Sequence, residues 1–288
     1  MAWPDLSSWD LVVSTVDRTG ALDRLLESLG GQTHRAFRVV VVDQNDDDRV
    51  GPVLERHPSL DIVRYHSPRG LSRARNLALA HVAAEFVAFP DDDCRYPPDL
   101  LERVSRRFAE QAWLDGVTGR EIDEAGRSAP GWATEAGPVT PANVWHRAIS
   151  FAIFLRRRVV EKVGSFDERL GLGSRTPWSS GEEIDYLIRA VRVGMNVEYD
   201  PALAVPHDVK DLTPAKRRAV GRRDGGSVGY ILRKHDYPLR TKTRMLVRPA
   251  GGALISLAQR DTARAGFHVA TLRGRVDGLR GFRSTRAL

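Results

Sequence analysis

The chain has 288 residues, of which 42% are hydrophobic and 28% are charged. This length is enough for one large α/β domain, or one domain with an appendage, and the composition excludes a globally disordered chain. The charge is divided unevenly. Residues 209–288 contain 19 Lys and Arg against 5 Asp and no Glu, which gives this segment a net charge of +14. Because the net charge of the whole chain is +7, the first 208 residues carry −7. An acidic body with a basic C-terminal extension is therefore predicted.

The single cysteine, Cys94, excludes an internal disulfide bond and favours a reducing compartment. Residues 1–15 have no basic segment followed by an apolar one, which a secretory signal would have. No stretch approaches the roughly 18 uninterrupted apolar residues of a membrane span. We therefore expect a cytoplasmic protein.

The first third of the chain alternates between strand and helix patterns. Runs of β-branched and aromatic residues predict strands at residues 10–15, 37–43, 61–65 and 85–89. Helical spacing predicts a first helix with one apolar face made of Leu22, Leu25, Leu26 and Leu29, and a further helix over residues 72–84. Such alternation predicts parallel strands with right-handed crossovers and a ligand site beyond their carboxyl ends.

The middle of the chain is less regular. Residues 116–143 are rich in Gly, Pro, Ser and Thr, which predicts turns, a loop and one hairpin. Residues 148–157 are typical of a buried strand, and a short helix closed by Gly164 follows. A Gly/Ser-rich loop then leads into a helix with an acidic start at residues 181–190.

Polar residues follow three of the predicted strands. Thr15 to Asp17 follow the first, Asp43 and Gln44 the second, and Asp91, Asp92 and Asp93 the fourth, so they should converge on one cleft. Three adjacent carboxylates need a cation, and Mg²⁺ and Mn²⁺ prefer carboxylate oxygens. The alternative is a solvated acidic loop that caps a helix beginning near Pro97.

Later acids and one histidine could complete such a site. Glu182, Glu183 and Asp185 stand at a helix start, where a carboxylate can orient or deprotonate a hydroxyl, although a capping cluster is equally consistent with the pattern. His207 follows a short strand and could give a neutral nitrogen to a metal, or could be an ordinary surface or core residue.

Six segments, taken in order, resemble family 2 glycosyltransferases of the GT-A fold over residues 11–207. They are "VVSTVDRTGALDRLLESLGGQTHRAFRVVVVDQNDDD", "GLSRARNLAL", "FPDDDCRYPPDLL", "VGSFDERL", "GEEIDYLIRAVRVG" and a late "PHD". The resemblance implies an α/β fold with a Rossmann-like mixed sheet flanked by helices. It places a catalytic domain at residues 1–208, with a nucleotide-binding half at about 1–110 and an acceptor-binding half at about 111–208, followed by a basic, mainly helical extension at 209–288.

The resemblance also implies an activity, namely inverting, metal-dependent transfer of a sugar from a nucleoside-diphosphate sugar to a glycan or lipid-linked acceptor in polysaccharide or cell-envelope glycan synthesis. Mg²⁺ or Mn²⁺ would be held by Asp91, Asp93 and His207, and Glu183 would be the base. The donor would contact Thr15, Asp17, Asp43, Gln44, Arg75, Asp91 and Asp92. Trp178 and Glu182 are expected to contact the acceptor.

Two departures from the family pattern leave alternatives open. Gln44 stands where a second aspartate is common, so uridine, thymidine and guanosine donors all remain open. Glu183 replaces the usual aspartate, so Asp185 is an alternative base.

Two other functions compete with sugar transfer. A nucleotidyltransferase would need a Gly-rich phosphate loop after the first strand, which "STVDRTGAL" lacks. A degenerate nucleotide-sugar-binding protein is disfavoured by the intact Asp91, Asp93 and Glu183.

The basic extension mixes apolar and Arg-rich positions at helical spacing. Its longest apolar stretch, "AGGALISLA", is too short to span a bilayer. The helices could lie on an anionic membrane surface or dock on the acidic body, and both remain open. Nucleic-acid binding is not expected because few aromatic residues stand among the arginines.

Overall fold

The computed structural model describes residues 8–208 and 212–281, and the chain forms two compact units. The first comprises Met1–Phe166 and Glu183–Val209, and the second comprises Asp167–Glu182 and Lys210–Leu288.

An eight-stranded sheet organises the first unit, in the order β3-β2-β1-β4-β7-β5-β8-β6. The strands are β1 (Trp9–Thr15), β2 (Phe37–Asp43), β3 (Ile62–His66), β4 (Phe86–Ala88), β5 (Gly116–Ile122), β6 (Gly137–Pro138), β7 (Ile153–Arg156) and β8 (Val197–Pro206). The helices are α1 (Thr19–Gly30), α2 (Gly51–Leu54), α3 (Leu71–Leu79), α4 (Leu100–Glu110), α5 (Arg157–Val163) and α6 (Glu182–Arg192), whose first residue belongs to the second unit.

The predicted parallel pairing of the first strands is confirmed. β1 pairs in parallel with β2 and β4, and β2 pairs in parallel with β3. β7 runs antiparallel to β4 and β5, which makes the sheet mixed, as expected. The predicted apolar face of α1 is confirmed, because all four of its leucines are buried.

Aromatic residues fill much of the core next to β1 and β4. The ring of Trp9 lies 4.8 Å from that of Phe86, and the ring of Phe86 lies 4.7 Å from that of Phe108 on α4. The indole N–H of Trp9 donates to Ser105 Oγ at 2.9 Å, so this buried polar group is satisfied. The core thus fixes β4, and with it the start of the loop that carries the aspartates.

Three predictions for the first unit were wrong in detail. α3 ends at Leu79 instead of residue 84, because the buried carboxylate of Asp10 accepts the N–H groups of Ala83 and Ala84 at 2.7 and 2.9 Å and draws them out of the helix. Residues 116–122 form a central strand and not a loop. The strand predicted at residues 148–157 begins only at Ile153, after a 3-10 turn at Ser150–Ala152.

Three long helices make up most of the second unit, so the predicted helical extension is confirmed. They are α7 (Pro214–Lys234), α8 (Leu239–Ala258) and α9 (Thr262–Arg280). α7 and α9 approach so closely that a Cβ on Gly225 or Gly229 of α7, or on Gly274 or Gly278 of α9, would lie 2.1 to 2.3 Å from a carbonyl oxygen of the facing helix. Only glycine fits at such a crossing.

A buried carboxylate anchors the segment before α6 to α7. Asp167 Oδ2 accepts hydrogen bonds from the Tyr230 hydroxyl and from Lys234 Nζ, both at 2.8 Å. Its other oxygen pairs with Arg169 at 3.0 Å. No helix in the described part of the chain is long and apolar enough to cross a membrane.

Candidate active site

The aspartate triplet lies at the carboxyl end of β4, as expected. Asp91 follows the last residue of β4 by three positions and pairs with Ser14 of β1 through an isolated parallel bridge. Asp92 and Asp93 are buried, whereas the side chain of Asp91 is 30% exposed. Residues from three parallel strand ends therefore meet at one edge of the sheet.

Each carboxylate of the triplet has a basic partner. Arg18 Nη1 lies 3.0 Å from Asp92 Oδ1 and 2.6 Å from Asp93 Oδ2, so one guanidinium bridges both residues. Arg75 Nη2 lies 3.0 Å from Asp91 Oδ1, and its guanidinium lies over the rings of Phe89 and Phe166. These contacts supply part of the positive charge that three adjacent carboxylates require.

The neighbouring arginines do not fully compensate the buried charge. Burial raises the pKa of Asp92 to about 6, although Arg18 and the Thr15 hydroxyl act in the opposite direction. Burial also raises the pKa of Asp91, with Asp93 adding to the effect and Arg75 opposing it. A further cation at this edge would therefore favour the ionised carboxylates.

His207 completes the group from the end of β8. Its Nε2 lies 3.1 Å from Asp93 Oδ1, and its ring stacks on Phe151 with centroids 4.8 Å apart. The hydroxyl of Ser150, the residue before Phe151, donates to the Asp91 carboxylate at 3.2 Å. The 3-10 turn at Ser150–Ala152 thus orients both the histidine and an aspartate.

The donor set fits a divalent cation in its chemistry. Asp93 and His207 already face each other at hydrogen-bonding distance, and Asp91 is partly open to solvent. Mg²⁺ and Mn²⁺ take oxygen and imidazole ligands and complete their shells with water and phosphate oxygens. Over residues 8–208 and 212–281, no three His, Cys, Asp or Glu side chains form a ready-made metal cluster. Metal binding by Asp91, Asp93 and His207 therefore stays a prediction.

The end of β1 is tied to the triplet. The Thr15 hydroxyl donates to Asp92 Oδ2 at 2.8 Å. Asp17 has a left-handed backbone with φ of 60°, and its N–H donates to Asn45 Oδ1 at 2.8 Å. Its exposed carboxylate pairs with Arg49 and Arg69 at 3.0 and 2.9 Å. Asp17 thus stands at the surface between two arginines that could bind an anion.

The two residues at the end of β2 make hydrogen bonds to neighbouring segments of the protein. Asp43 is fully buried, and its oxygens accept from Arg64 Nη2 at 2.6 Å and from Asn45 Nδ2 at 2.7 Å. Gln44 Oε1 accepts from the Gly70 N–H at 2.7 Å. Both residues therefore hold the neighbouring loops in place, and their contact with a nucleotide stays a prediction.

The two candidate bases in the first turn of α6 differ in their exposure to solvent. Glu183 is partly exposed, whereas Asp185 is fully buried. Asp185 Oδ2 accepts from Arg189 Nε at 3.0 Å, and the same guanidinium donates to the carbonyl oxygens of Val163 and Ser165. Asp185 therefore links α6 to the turn after α5, while Glu183 is the more accessible carboxylate.

Trp178 and Glu182, expected to contact the acceptor, belong to the second unit and are both buried. The Trp178 ring stacks on Tyr230 of α7, with centroids 5.1 Å apart. Trp178 also lines a cavity of about 660 Å³ together with Arg222 and Arg280.

A second depression, of about 790 Å³, lies in the first unit and is lined by Arg24, Arg95, Asp123, Glu124, Ala125, Arg127 and Asp208. Both cavities fall in the size range of small-molecule sites.

A model of the glycosyl transferase family 2 matches residues 10–164, which is more than half of the chain. The chain belongs to glycosyltransferase family 2. The matched range contains all of β1 except Trp9, the whole of β2 and β4, and the aspartate triplet.

Two curated proteins are similar over a large part of the chain. A pre-mycofactocin glycosyltransferase of Mycobacterium tuberculosis is 28% identical over 264 residues, which are 85% of this chain and 51% of that protein. The succinoglycan biosynthesis protein ExoM of Rhizobium meliloti is 26% identical over 231 residues, which are 75% of this chain and 72% of ExoM. The chain thus spans about half the length of the first of these relatives.

Solved glycosyltransferase structures share the fold. The mannosyltransferase PcManGT from Pyrobaculum calidifontis, in complex with GDP-Man and Mn²⁺, has a TM-score of 0.65 at 17% identity, covering 97% of this chain and 90% of PcManGT. S. aureus TarS 1-349 in complex with UDP-GlcNAc has a TM-score of 0.58 at 16% identity, covering 92% of this chain and 90% of that one. Identities this low establish the GT-A fold alone.

Sequence reasoning missed two residues that contact the triplet, Arg18 and Ser150. Arg18 stands one residue after Asp17 in the loop that follows β1, so the convergence of strand ends was a usable signal for it. Ser150 carried no comparable signal, because its contact depends on a 3-10 turn within a segment predicted to be a strand.

Proposed function

We propose that this family 2 glycosyltransferase transfers a sugar, with inversion, from a nucleoside-diphosphate sugar to a glycan or lipid-linked acceptor in polysaccharide or cell-envelope glycan synthesis. The observation that carries the proposal is the aspartate triplet at the carboxyl end of β4, with Arg18, Arg75 and His207 in contact with it. We further propose that it acts in the cytoplasm, at the inner face of the cell membrane.

Asp91, Asp93 and His207 would hold Mg²⁺ or Mn²⁺. A divalent cation bound there would neutralise the charge that develops on the departing diphosphate. The raised pKa of Asp92 and Asp91 supports this assignment, because carboxylates that are costly to ionise in the free protein gain most from an added cation.

The nucleotide would lie across the ends of β1 and β2. Thr15 and Asp92 share a hydrogen bond, and Arg75 binds Asp91, so these groups are held in place before the donor arrives. Preorganised polar groups lose little entropy on binding. Arg49 and Arg69, which flank Asp17, are suited to the negative charge of the donor.

Glu183 would be the general base. In a single displacement, the acceptor oxygen forms a bond to C1 of the sugar while the bond from C1 to the diphosphate oxygen breaks, and the acceptor proton passes to the Glu183 carboxylate. The proton is lost late, so an ordinary carboxylate pKa is adequate. Asp185 is the weaker candidate because it is fully buried and paired with Arg189.

The base of the donor and the identity of its sugar remain open. GDP-Man and UDP-GlcNAc, bound by the two similar structures, are the first donors to test, and thymidine diphosphate sugars should be included because Gln44 can both donate and accept. Gln44 Oε1 already accepts one hydrogen bond, from the Gly70 N–H, so recognition by this side chain would use its amide hydrogens or the second lone pair of Oε1.

The test compares wild type with Glu183→Gln and Asp185→Asn, using each donor with Mn²⁺. We expect Glu183→Gln to lower transfer by about 10²-fold or more while donor affinity stays within a few fold. Glu161→Gln, an exposed acid on α5, is the matched control and should retain full transfer. Full transfer by Glu183→Gln, or release of product with retained anomeric configuration, would overturn the proposed mechanism.

A further inference from the structure

One side of α8 is exposed, apolar and basic at the same time. Leu254 is 69% exposed, and Val247 and Ile255 are each 60% exposed. Single exposed aliphatic residues are common on soluble proteins, but three on the same side of one helix form a patch that calls for a partner.

The same helix has an unbalanced charge. α8 contains Arg240, Lys242, Arg244 and Arg248, and it contains no Asp or Glu. The three arginines are exposed. Its positive charge is therefore not offset within the helix, and it belongs to an extension with an excess of 14 basic over acidic residues.

Helical geometry joins the two features into one surface. Residues 240, 244, 248 and 255 recur at spacings of four and seven, so they share one side of the helix, and residues 247 and 254 stand next to them. The opposite side packs on its own unit, where Pro249, Ala253 and Ser256 are buried and Gly252 lies against the ring of His268 on α9. We call the exposed surface the α8 face; it consists of Arg240, Arg244, Val247, Arg248, Leu254 and Ile255.

We propose that the α8 face binds an anionic membrane surface. The arginines would lie among acidic headgroups, and Leu254 and Ile255 would enter the boundary between headgroups and acyl chains. α8 has the basic and aliphatic side chains of such a helix, and it does not need to span the bilayer to act in this way. This inference does not rest on the proposed sugar transfer.

Two other partners fit the face less well. Single-stranded nucleic acid is bound through aromatic residues that stack on bases, and α8 contains none. A symmetric dimer through this face would bring two sets of arginines together, and like charges across an interface are unfavourable. Contact with the acidic part of a second copy is a third possibility, which the experiment below distinguishes.

The test is co-sedimentation of the full chain with vesicles of equal parts phosphatidylglycerol and phosphatidylcholine, without any donor or acceptor. We expect binding at low salt, much weaker binding at high salt, and little binding to pure phosphatidylcholine, because exposed charges are screened beyond about 8 Å at physiological ionic strength. No substrate is present, so the result is independent of whether the chain transfers sugar.

Two double variants separate the two components of the face. Arg244→Gln with Arg248→Gln should weaken binding to the anionic vesicles by about 25-fold, since each basic residue near such a surface contributes about fivefold. Leu254→Asn with Ile255→Asn should weaken it at least about tenfold. Arg217→Gln with Arg273→Gln, exposed residues on α7 and α9, removes the same charge and should change binding much less.

All these residues are exposed, so each variant should keep the melting temperature of the wild type, which circular dichroism checks. The proposal is overturned if the wild type does not sediment with anionic vesicles at low salt, or if the control pair loses as much binding as the α8 pairs. It is also overturned if light scattering shows a dimer that the Leu254→Asn and Ile255→Asn pair abolishes while vesicle binding is absent, since the face would then bind a second copy.

Discussion

Replacing Gly274 by alanine should separate α7 from α9. A Cβ at this position would lie 2.2 Å from the carbonyl oxygen of Arg222 and 2.8 Å from the backbone N of Gly226. Both neighbours are backbone atoms of α7, so no side-chain rotation can relieve the contact, and the helices must move apart by about 1 Å. Gly274→Ala thus tests whether the second unit depends on this close crossing.

The expected size follows from two opposing effects. Overpacking against backbone costs about 3 kcal/mol, and alanine recovers about 1 kcal/mol of helix propensity, so the free energy of unfolding should fall by about 2 kcal/mol. Gly251 of α8 is the matched control, because a Cβ there meets no atom within 4 Å. Gly251→Ala should raise stability by about 0.5 to 1 kcal/mol.

Urea unfolding followed by circular dichroism at the helix band measures both variants. Hydrogen exchange by mass spectrometry shows whether the loss is confined to α7 and α9, as expected for local packing. The reasoning is refuted if Gly274→Ala is as stable as Gly251→Ala, or if protection is lost in β1 and β2 but kept in α7 and α9.

Two further variants test the charged groups of each unit. Arg18→Gln should lower the stability of the metal-free protein by about 1 kcal/mol, after allowance for the partial exposure of Arg18, and should enlarge the thermal shift caused by Mn²⁺. An unchanged shift contradicts the idea that Arg18 and a metal ion both neutralise Asp93. Burial alone would raise the pKa of Asp167, but hydrogen bonds from Arg169, Lys234 and Tyr230 outweigh it and hold the pKa well below its usual range. The stability that Asp167 contributes is therefore fully present above about pH 4 and is lost gradually as the pH falls towards the lowered pKa of the folded state. Asp167→Asn should cost about 2 kcal/mol at pH 7 and about half as much at pH 2.5 in urea titrations, whereas a cost independent of pH contradicts this account.

The first part of the fold, from β1 to β4, was largely predictable from sequence. β1 and β2 are short runs rich in valine, bounded by polar residues, so the strand signal and the site signal coincide at Thr15, Asp43 and the triplet. The apolar spacing of α1 was equally clear. In this part of the chain, local propensity and the final fold agree.

β5 could not be predicted because its glycines are needed for close packing against residues that are distant in the sequence. A Cβ on Gly119 would lie 2.0 Å from the carbonyl oxygen of Leu203 on β8, at a bulge between Thr118 and Arg120. Glycine lowers the strand signal in the sequence, yet here it permits the pairing that makes the strand. The crossing of α7 and α9 is similar. Glycines spaced by four residues indicate a close contact, but the sequence does not show which helix packs against them.

The sequence predicted which strand ends carry the candidate site, but not which side chains would contact its aspartates. The triplet implied a nearby cation, and the structure supplies Arg18 and Arg75 from two separate segments. Likewise, sequence left Glu183 and Asp185 as alternatives, and only burial and the pairing with Arg189 distinguish them. Such differences depend on the folded surroundings of each side chain.

The central claim is that Asp93 helps bind a divalent cation that in turn binds the nucleotide diphosphate. Titration calorimetry with UDP, GDP and TDP, each with and without Mn²⁺, tests it directly in the wild type, in Asp93→Asn and in Asp61→Asn, an exposed control in the same unit. We predict that one nucleotide binds the wild type and Asp61→Asn only with Mn²⁺, and that Asp93→Asn weakens this binding by about 10²-fold while remaining folded, with a melting temperature within about 5 °C of the wild type. Equal affinity in Asp93→Asn, or wild-type binding that is unchanged without Mn²⁺, would contradict the account.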